Sequence, residues 1–199
     1  MKEIYFVTGN TGKIASAKKY SIEYGLDMKT IDLKTVEPEV NDIELIAKKK
    51  VEEAYSLIQK PCVADDSGFY IESFPDKSNF PGAFVKRQLL EPLGIDGLLD
   101  KMSTVENRNC YFDDCVAYYD GNEYKLFHSL SKGVLSTEIR GDNLNGAWSP
   151  LWYVFIPEGY NKTLAEMTDE ERTERSNNKE SAMKNFIKWY TNTHEKRMQ

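Results

Sequence analysis

The chain has 199 residues, of which 40% are hydrophobic and 29% are charged, so it is long enough to bury a sizeable core within one domain. Its net charge of −6 argues against a nucleic-acid partner, because binding to a phosphate backbone needs concentrated positive charge. No apolar stretch approaches the length of a membrane span, and the first residues lack the apolar core of a signal peptide. We therefore expect a soluble, cytoplasmic protein without a membrane partner.

The cysteines and histidines do not suggest a metal centre or a catalytic triad. Cys62, Cys110 and Cys115 are odd in number and lack CxxC spacing, which is typical of reduced, packed thiols. His128 and His194 lie far apart, and neither has an obvious nucleophile beside it. We expect structural or surface roles for both histidines and no zinc.

The first part of the chain alternates between strand and helix patterns. A β-rich run covers residues 3–7, a helical pattern covers 13–24, and a second β-rich run covers 28–33. From 42 to 58 the apolar residues recur at the spacing of an amphipathic helix. The next apolar run, 62–64, leads directly into Asp65-Asp66-Ser67-Gly68, which predicts that the acidic pair lies at the end of a strand.

The later part is richer in strands. After a further β-rich run at 69–71 and a proline-containing loop, the pattern predicts helices over 83–90 and 97–102, strands over 110–119, 124–129, 133–138 and 152–156, and a last helix around 183–190. Early alternation of strands and helices followed by meander-like strands predicts an α/β fold with a mixed sheet.

The first strand-to-helix junction, Phe6 to Lys13, has the residues of a phosphate site. Small, hydrogen-bonding residues there leave backbone N–H groups at the positive end of the following helix, and Lys13 adds a full charge. The Walker A pattern is not met, because only two residues separate Gly9 from Gly12 and Ile14 follows the lysine. The alternative is an ordinary turn in which Asn10 or Thr11 caps the helix.

Asp65 and Asp66 are the best candidates for catalysis. Adjacent carboxylates repel each other unless a cation or proton lies between them or they point to opposite sides, and Mg²⁺ is a common solution near phosphates. The alternative is that one of them caps a turn closed by Gly68. Glu39 could supply a further carboxylate, although most loop glutamates are simply solvated.

Two lysines could complete a polyphosphate site. Lys48-Lys49-Lys50 would usually be a solvated helix face, but Lys50 borders the apolar stripe and could turn inward. Lys86 follows the Phe80-Pro81-Gly82 turn. Binding and hydrolysing a polyphosphate needs several cations, a metal held by carboxylates, and a base that activates water.

Four segments in order resemble the motifs of the inosine triphosphate pyrophosphatase (HAM1-type) family. They are Thr8-Gly9-Asn10-Thr11-Gly12-Lys13, Ala64-Asp65-Asp66-Ser67-Gly68, Phe80-Pro81-Gly82, and Gly159 through Thr163-Leu164-Ala165-Glu166-Met167. The resemblance spans nearly the whole chain. It implies a single nucleoside triphosphate pyrophosphatase domain over 1–199, with two lobes around a long, mixed central sheet flanked by helices and the active-site cleft between them.

The resemblance also implies a reaction. Members of this family are Mg²⁺-dependent, typically homodimeric enzymes that cut nucleoside triphosphates such as ITP, dITP and XTP to the monophosphate and pyrophosphate. By position in the motifs, the implied phosphate-binding residues are Thr8, Asn10, Lys13, Lys50 and Lys86, the implied metal ligands are Glu39, Asp65 and Asp66, and the implied catalytic residues are Asp66 and Lys13.

The segments that read the base differ from the family pattern. Phe-Gly-(Trp/Tyr)-Asp-Pro is replaced by Gly146-Ala147-Trp148-Ser149-Pro150, which keeps Trp148 for stacking, with Trp152 as a second candidate, and places Ser149 where the family has Asp. The family's Ser-His-Arg is replaced within 176–179. Depending on the register, Asn177-Asn178 or Asn178-Lys179 takes the place of His-Arg, Ser176 would cap the last helix, and Arg172 replaces a family lysine just ahead.

Losing hydrogen-bonding groups that recognise a polar edge can change discrimination by about 10⁴ to 10⁵. We therefore expect an altered base preference, for a modified purine or a pyrimidine. Two alternatives stay open: compensated drift that keeps purine specificity, and a catalytically silent nucleotide-binding protein on the same fold.

Overall fold

The computed structural model describes residues 3–35, 38–74, 80–147 and 149–195. The strands within these ranges are β1 (Ile4–Val7), β2 (Met28–Ile31), β3 (Cys62–Ile71), β4 (Pro81–Gly82), β5 (Asn109–Tyr119), β6 (Tyr124–Leu135) and β7 (Phe155–Pro157). The α-helices are α1 (Thr11–Glu23), α2 (Ile43–Ile58), α3 (Gly94–Lys101), α4 (Asp169–Asn178) and α5 (Ala182–Glu195). A π-helical segment covers Val85–Leu90, and a short 3₁₀ turn covers Pro150–Tyr153.

The strands form one mixed sheet in the order β2-β1-β3-β5-β6-β7, with β4 paired to β3. The β1 strand is parallel to both β2 and β3, whereas β4 on β3 and β7 on β6 are antiparallel. The predicted α/β class with a mixed sheet is confirmed. None of the described helices is long and apolar enough to cross a membrane.

By its internal contacts the chain divides into two compact units. The first comprises Met1–Asp66, Asp114–Ser129 and Glu180–Gln199, and the second comprises Ser67–Asp113 and Leu130–Lys179. Each unit has its own hydrophobic core. In the first, side chains of β1, α1 and α5 pack together around Phe6, Tyr20 and Phe186; in the second, Phe69, Phe112 and Phe155 form an aromatic cluster.

The helices of the first unit follow from its strand order. The connection from β1 to β2 runs in one direction across the sheet, and the connection from β2 to β3 returns past β1 in the other. Because such crossovers are almost always right-handed, α1 and α2 lie on opposite faces of the sheet. Asp42 begins α2 by accepting hydrogen bonds from the amides of Glu44 and Leu45, both at 3.0 Å.

The structure corrects several element boundaries. Residues 62–71 form one continuous strand, so the prediction that Asp65 and Asp66 end a strand is wrong. Predicted strands 124–129 and 133–138 are both parts of β6, whereas predicted strand 152–156 is divided between the 3₁₀ turn and β7. Helix α4 has no counterpart in the sequence prediction, because none of its residues is buried and it has no apolar stripe.

Candidate active site

The loop after β1 is organised around Asn10. Its side-chain Oδ1 accepts hydrogen bonds from the amides of Gly12 at 2.9 Å and Lys13 at 3.1 Å, which makes it the N-cap of α1. Thr8 Oγ1 accepts from the amide of Asn10 at 3.2 Å. The capping alternative is therefore confirmed for Asn10, and the loop still lies at the positive end of α1, where an anion is favoured.

The adjacent carboxylates of β3 are each paired with a lysine from a different helix. Lys13 Nζ of α1 lies 3.2 Å from Asp65 Oδ1, and Lys50 Nζ of α2 lies 2.9 Å from Asp66 Oδ1. Successive side chains of a strand point to opposite faces, and α1 and α2 cover opposite faces, so each acid meets its own helix. Of the solutions open to adjacent carboxylates, the structure has them point to opposite sides, with an ammonium beside each.

Asp65 Oδ1 is buried, and the Lys13 ammonium at 3.2 Å is the positive charge beside it. A buried carboxylate oxygen is stabilised by such a neighbouring cation. The four side chains of the two pairs are 14–19% exposed.

A pocket of about 370 Å³ lies at the carboxyl edge of the parallel strands in the first unit. It is lined by residues that follow β1 and β2 and by Asp65 from the middle of β3. The carboxyl ends of adjacent parallel strands, with helices on opposite faces of the sheet, are the usual place for a ligand in an open α/β sheet. The predicted residues that line it are Thr8, Asn10, Lys13, Lys50 and Asp65.

Sequence reasoning missed three polar residues of this pocket, namely Asp32, Lys34 and Thr35. They follow β2, whose carboxyl end lies beside that of β1, so strand order was the signal that could have identified them. A Cβ atom on Gly9 would lie 2.9 Å from Asp32 Oδ1, which shows how closely the Asp32 carboxylate approaches the loop.

Glu39 is exposed and is not among the residues that line the pocket. Over the described part of the chain, no group of three His, Cys, Asp or Glu residues is arranged to hold a metal ion. The metal-binding role of Glu39 with Asp65 and Asp66 stays a prediction.

In the second unit, Lys86 and Ser149 have different surroundings. The Lys86 side chain is 80% exposed, and its ammonium lies 3.6 Å from Glu91 Oε1.

Ser149 is buried, and its hydroxyl accepts a hydrogen bond from the amide of Leu151 at 3.2 Å as the cap of the 3₁₀ turn. Trp148 lies outside the described residues. Trp152, the second stacking candidate, packs in the core of this unit.

Arg172 is built into the fold of the second unit. Its Nη1 donates to the carbonyl oxygens of Asn143 at 2.9 Å and Leu164 at 3.1 Å, and its Nη2 pairs with Asp169. The guanidinium also lies 5.2 Å from the centre of the Trp152 ring. The prediction that it contacts substrate stays untested, but these bonds assign it a structural role.

The predicted base-contacting asparagines lie at the end of α4. Asn177 and Asn178 are exposed in its last turn, and Lys179 follows as the C-cap residue, with its amide donating to Arg175 O at 3.0 Å. The expectation that Ser176 caps the last helix is wrong, because Ser176 lies inside α4. Ser181 takes that role for α5, with its Oγ accepting from the amide of Lys184 at 3.3 Å.

Comparison with known proteins assigns the family. The model of the Ham1 family matches residues 4–189. The chain belongs to the Ham1 family. It is 32% identical over 190 residues to the dITP/XTP pyrophosphatase of Pyrococcus horikoshii, covering 94% of this chain and 96% of the relative. It is 29% identical over 191 residues to the dITP/XTP pyrophosphatase of Saccharolobus solfataricus, covering 95% of each.

Solved structures of Ham1 proteins share the fold. The Ham1 protein of Staphylococcus aureus superimposes with a TM-score of 0.75 at 22% identity, covering 98% of this chain and all (100%) of that one. A HAM1 protein from Coxiella burnetii gives a TM-score of 0.77 at 19% identity, covering 96% and 100%. The predicted family and fold are confirmed.

Proposed function

We propose that this chain is a Mg²⁺-dependent nucleoside triphosphate pyrophosphohydrolase that removes non-standard purine nucleotides, such as dITP, XTP and ITP, from the nucleotide pool. The observation that carries the proposal is the pair of ionic contacts, Lys13 to Asp65 and Lys50 to Asp66, made by two residues in the middle of β3 beside the carboxyl end of β1. The names of the Pyrococcus and Saccharolobus relatives support this substrate class.

The lysines and the capped loop would bind the triphosphate. Thr8 and Asn10 shape the loop, and the N-terminus of α1 with Lys13 and Lys50 supplies positive charge to the β- and γ-phosphates. The carboxylate of Asp32, which lies close to Gly9 of this loop, limits where the anion lies, because its charge repels phosphate oxygens.

The proposed ligands of the Mg²⁺ ion are Asp65, Asp66 and Glu39. Asp65 and Asp66 point to opposite sides of β3, each beside a lysine, so holding one ion through both carboxylates requires at least one of them to turn away from its lysine. When bound, Mg²⁺ would neutralise the charge that develops on the phosphates. Asp66 orients the attacking water and accepts its proton as the bond between the α- and β-phosphates breaks.

The segments at 146–150 and 176–179, which take the place of the family's base-reading motifs, differ from those motifs in sequence. The second candidate is the same reaction on a pyrimidine or another modified nucleotide. It is favoured by the commitment of the Ser149 hydroxyl to the 3₁₀ cap and of Arg172 to backbone carbonyls. A catalytically silent nucleotide-binding protein would bind without turnover.

The test is pyrophosphate release from dITP, XTP, dUTP and the four ordinary dNTPs with Mg²⁺, for the natural chain and for Asp66→Asn. A dominant rate with dITP or XTP that falls by at least about 100-fold in Asp66→Asn is expected. Asp100→Asn, an exposed acid on α3, is the matched control. Normal turnover in Asp66→Asn would remove its proposed role, and a dominant dUTP rate would favour the second candidate.

We further propose a homodimer in the cytoplasm. The three cysteines are free and buried, which agrees with a reducing compartment. Light scattering of the purified chain would measure its mass in solution, and a monomer would contradict the dimer.

A further inference from the structure

The loop of residues 141–147, here the Asn143 loop, ends within the segment 146–150 that takes the place of the family's base-contacting motif. Its start is tightly packed, because a Cβ atom on Gly141 would lie 2.4 Å from backbone atoms of Ala165. Its end is closed by a hydrogen bond from the amide of Ala147 to Leu144 O at 2.9 Å. The next described residue, Ser149, begins the 3₁₀ turn.

Both carboxylate oxygens of Asp169 hold this loop. Asn143 Nδ2 donates to Oδ1 at 3.2 Å, and Asn145 Nδ2 donates to Oδ2 at 2.9 Å. Arg172 Nη2 pairs with the same Oδ1. Hydrogen bonds to an ionised acceptor are stronger than those between neutral groups, so the first residue of α4 is linked to two side chains of the loop.

The backbone of the loop is held as well. The amide of Asn143 donates to Ala165 O at 3.0 Å, and the carbonyl of Asn143 accepts from Arg172 Nη1 at 2.9 Å. Asn143 Nδ2 also reaches Met167 O at 3.2 Å. The amide, the carbonyl and both side-chain polar atoms of Asn143 each make at least one hydrogen bond, either to the segment from Ala165 to Arg172 or within the loop.

The Asp169 end of this network lies at the surface. Helix α4 has no buried residue and the Asp169 side chain is 55% exposed, whereas Leu144 and Ala147 of the loop pack against the core and Arg172 lies over Trp152. Losing the Asp169 charge would therefore weaken the side-chain hydrogen bonds of the loop without opening a cavity, which an ordinary packing residue would do.

We propose that Asp169 and Arg172 clamp the Asn143 loop and thereby position the base-contacting segment, so that Asp169 is a positioning residue for selection of the base. This inference rests on the proposed function. It also explains why an arginine at 172 serves here: a planar guanidinium with several donors can bridge two carbonyl oxygens and a carboxylate at once, which the single ammonium of a lysine cannot do in that geometry.

The test compares Asp169→Asn with Glu170→Gln. An asparagine at position 169 has one acceptor oxygen where aspartate has two. One of the hydrogen bonds from Asn143 and Asn145 is therefore lost together with the negative charge. Glu170 is exposed in the same first turn of α4, so its variant loses an equal charge at the helix N-terminus. Asn145→Ala removes one clamp bond at an exposed position and serves if Asp169→Asn does not fold.

Two measurements that do not depend on turnover give the result. Amide hydrogen exchange over 141–147 should quicken by about tenfold in Asp169→Asn and Asn145→Ala and stay unchanged in Glu170→Gln. The ratio of binding constants for α,β-non-hydrolysable dITP and dGTP analogues should shift by about tenfold in the same two variants. Affinity for inorganic tripolyphosphate, which has no base, should change less than about twofold.

An unchanged ratio of the dITP and dGTP analogue binding constants in a folded Asp169→Asn protein overturns the proposal. A loss of tripolyphosphate affinity as large as the loss of nucleotide affinity overturns it as well. Failure of the proposed function has a different signature: the natural chain would release no pyrophosphate from any nucleotide, whatever the variants do.

Discussion

Adjacent aspartates in the middle of a strand are costly unless each finds a partner. Asp65 and Asp66 solve this through strand alternation, which points one carboxylate to Lys13 and the other to Lys50. The sequence indicated the acids, and it indicated that Lys50 borders the apolar face of its helix. It could not show which lysine meets which acid, because that pairing depends on the crossovers that carry α1 and α2 to opposite faces.

This pairing predicts a large coupling between Lys50 and Asp66. Lys50→Met should lower the free energy of unfolding by about 2 kcal/mol, because it removes the ammonium 2.9 Å from a mostly buried carboxylate. The double variant Lys50→Met with Asp66→Asn should recover most of that loss, since the carboxylate charge is then removed as well. Urea unfolding of the two single variants and the double variant measures the coupling.

Lys49→Met is the control for that cycle. Lys49 is the residue before Lys50 in α2, is 52% exposed and pairs with Glu52. Its replacement should lower the free energy of unfolding by less than about 0.5 kcal/mol. Additive effects of Lys50→Met and Asp66→Asn would show that the 2.9 Å contact contributes nothing to stability.

Among the helices, α4 shows where hydrophobic patterning fails. It has three acidic residues in its first turn and a capping box formed by Thr168 and Glu171, but no buried side chain. The capping box was readable as Thr-x-x-Glu, and it could have predicted where the helix begins. Its contacts with the Asn143 loop could not be predicted, because they join residues more than twenty positions apart through side-chain amides.

The clamp at the start of α4 predicts a pH dependence of stability. Hydrogen bonds from Asn143 and then Asn145, with Arg172 adding to them, lower the pKa of Asp169 below its ordinary value. A carboxyl whose pKa is lowered by folding stabilises the native state above its unfolded pKa, about 4, and that contribution is lost as the pH falls through the folded value. The difference in Tm between the natural chain and Asp169→Asn should therefore stay constant from about pH 7 to 5 and shrink below about pH 4.

Thermal unfolding of both proteins across that range is the measurement. Glu170→Gln supplies the baseline for removing a first-turn acid. A difference that already shrinks above about pH 5 would mean that folding raises the pKa of Asp169, contrary to its hydrogen bonds.

Two glycines with the same backbone conformation test how closely the Asn143 loop is packed. Gly141 has φ of +81° and would place a Cβ 2.4 Å from Ala165, whereas Gly159 has φ of +82° with nothing within 4 Å. Gly159→Ala should cost about 1 kcal/mol from the left-handed backbone alone. Gly141→Ala should cost about 2 kcal/mol more, because the backbone of Ala165 must move. Chemical denaturation compares them, and equal losses would show that the loop has room beside Ala165.

The chain as a whole was predicted best where its elements follow local patterns. The alternation of strand and helix patterns before residue 71 predicted β1, α1, β2 and α2 close to their observed bounds. The family resemblance predicted the fold that the Ham1 structures share. Long strands were predicted less well. The acids Asp65 and Asp66 interrupt the apolar pattern of β3, and the strand pairing that continues through them joins residues distant in sequence. The predicted cleft between two lobes stays a prediction.

The charge of the chain as a whole predicts an unusual salt response. The net charge of −6 repels a nucleoside triphosphate at long range, whereas Lys13 and Lys50, only 19% and 15% exposed, attract it at short range. Salt screens the distant repulsion more than the sheltered attraction, so the two effects of salt on substrate binding oppose each other.

KM for the preferred triphosphate should change less than about threefold between about 0.05 and 0.2 M potassium chloride at fixed free Mg²⁺. Lys34→Gln removes an exposed lysine at the pocket rim and should leave this weak dependence in place. A steep rise of KM with salt, lost in Lys34→Gln, would instead assign the attraction to exposed charge.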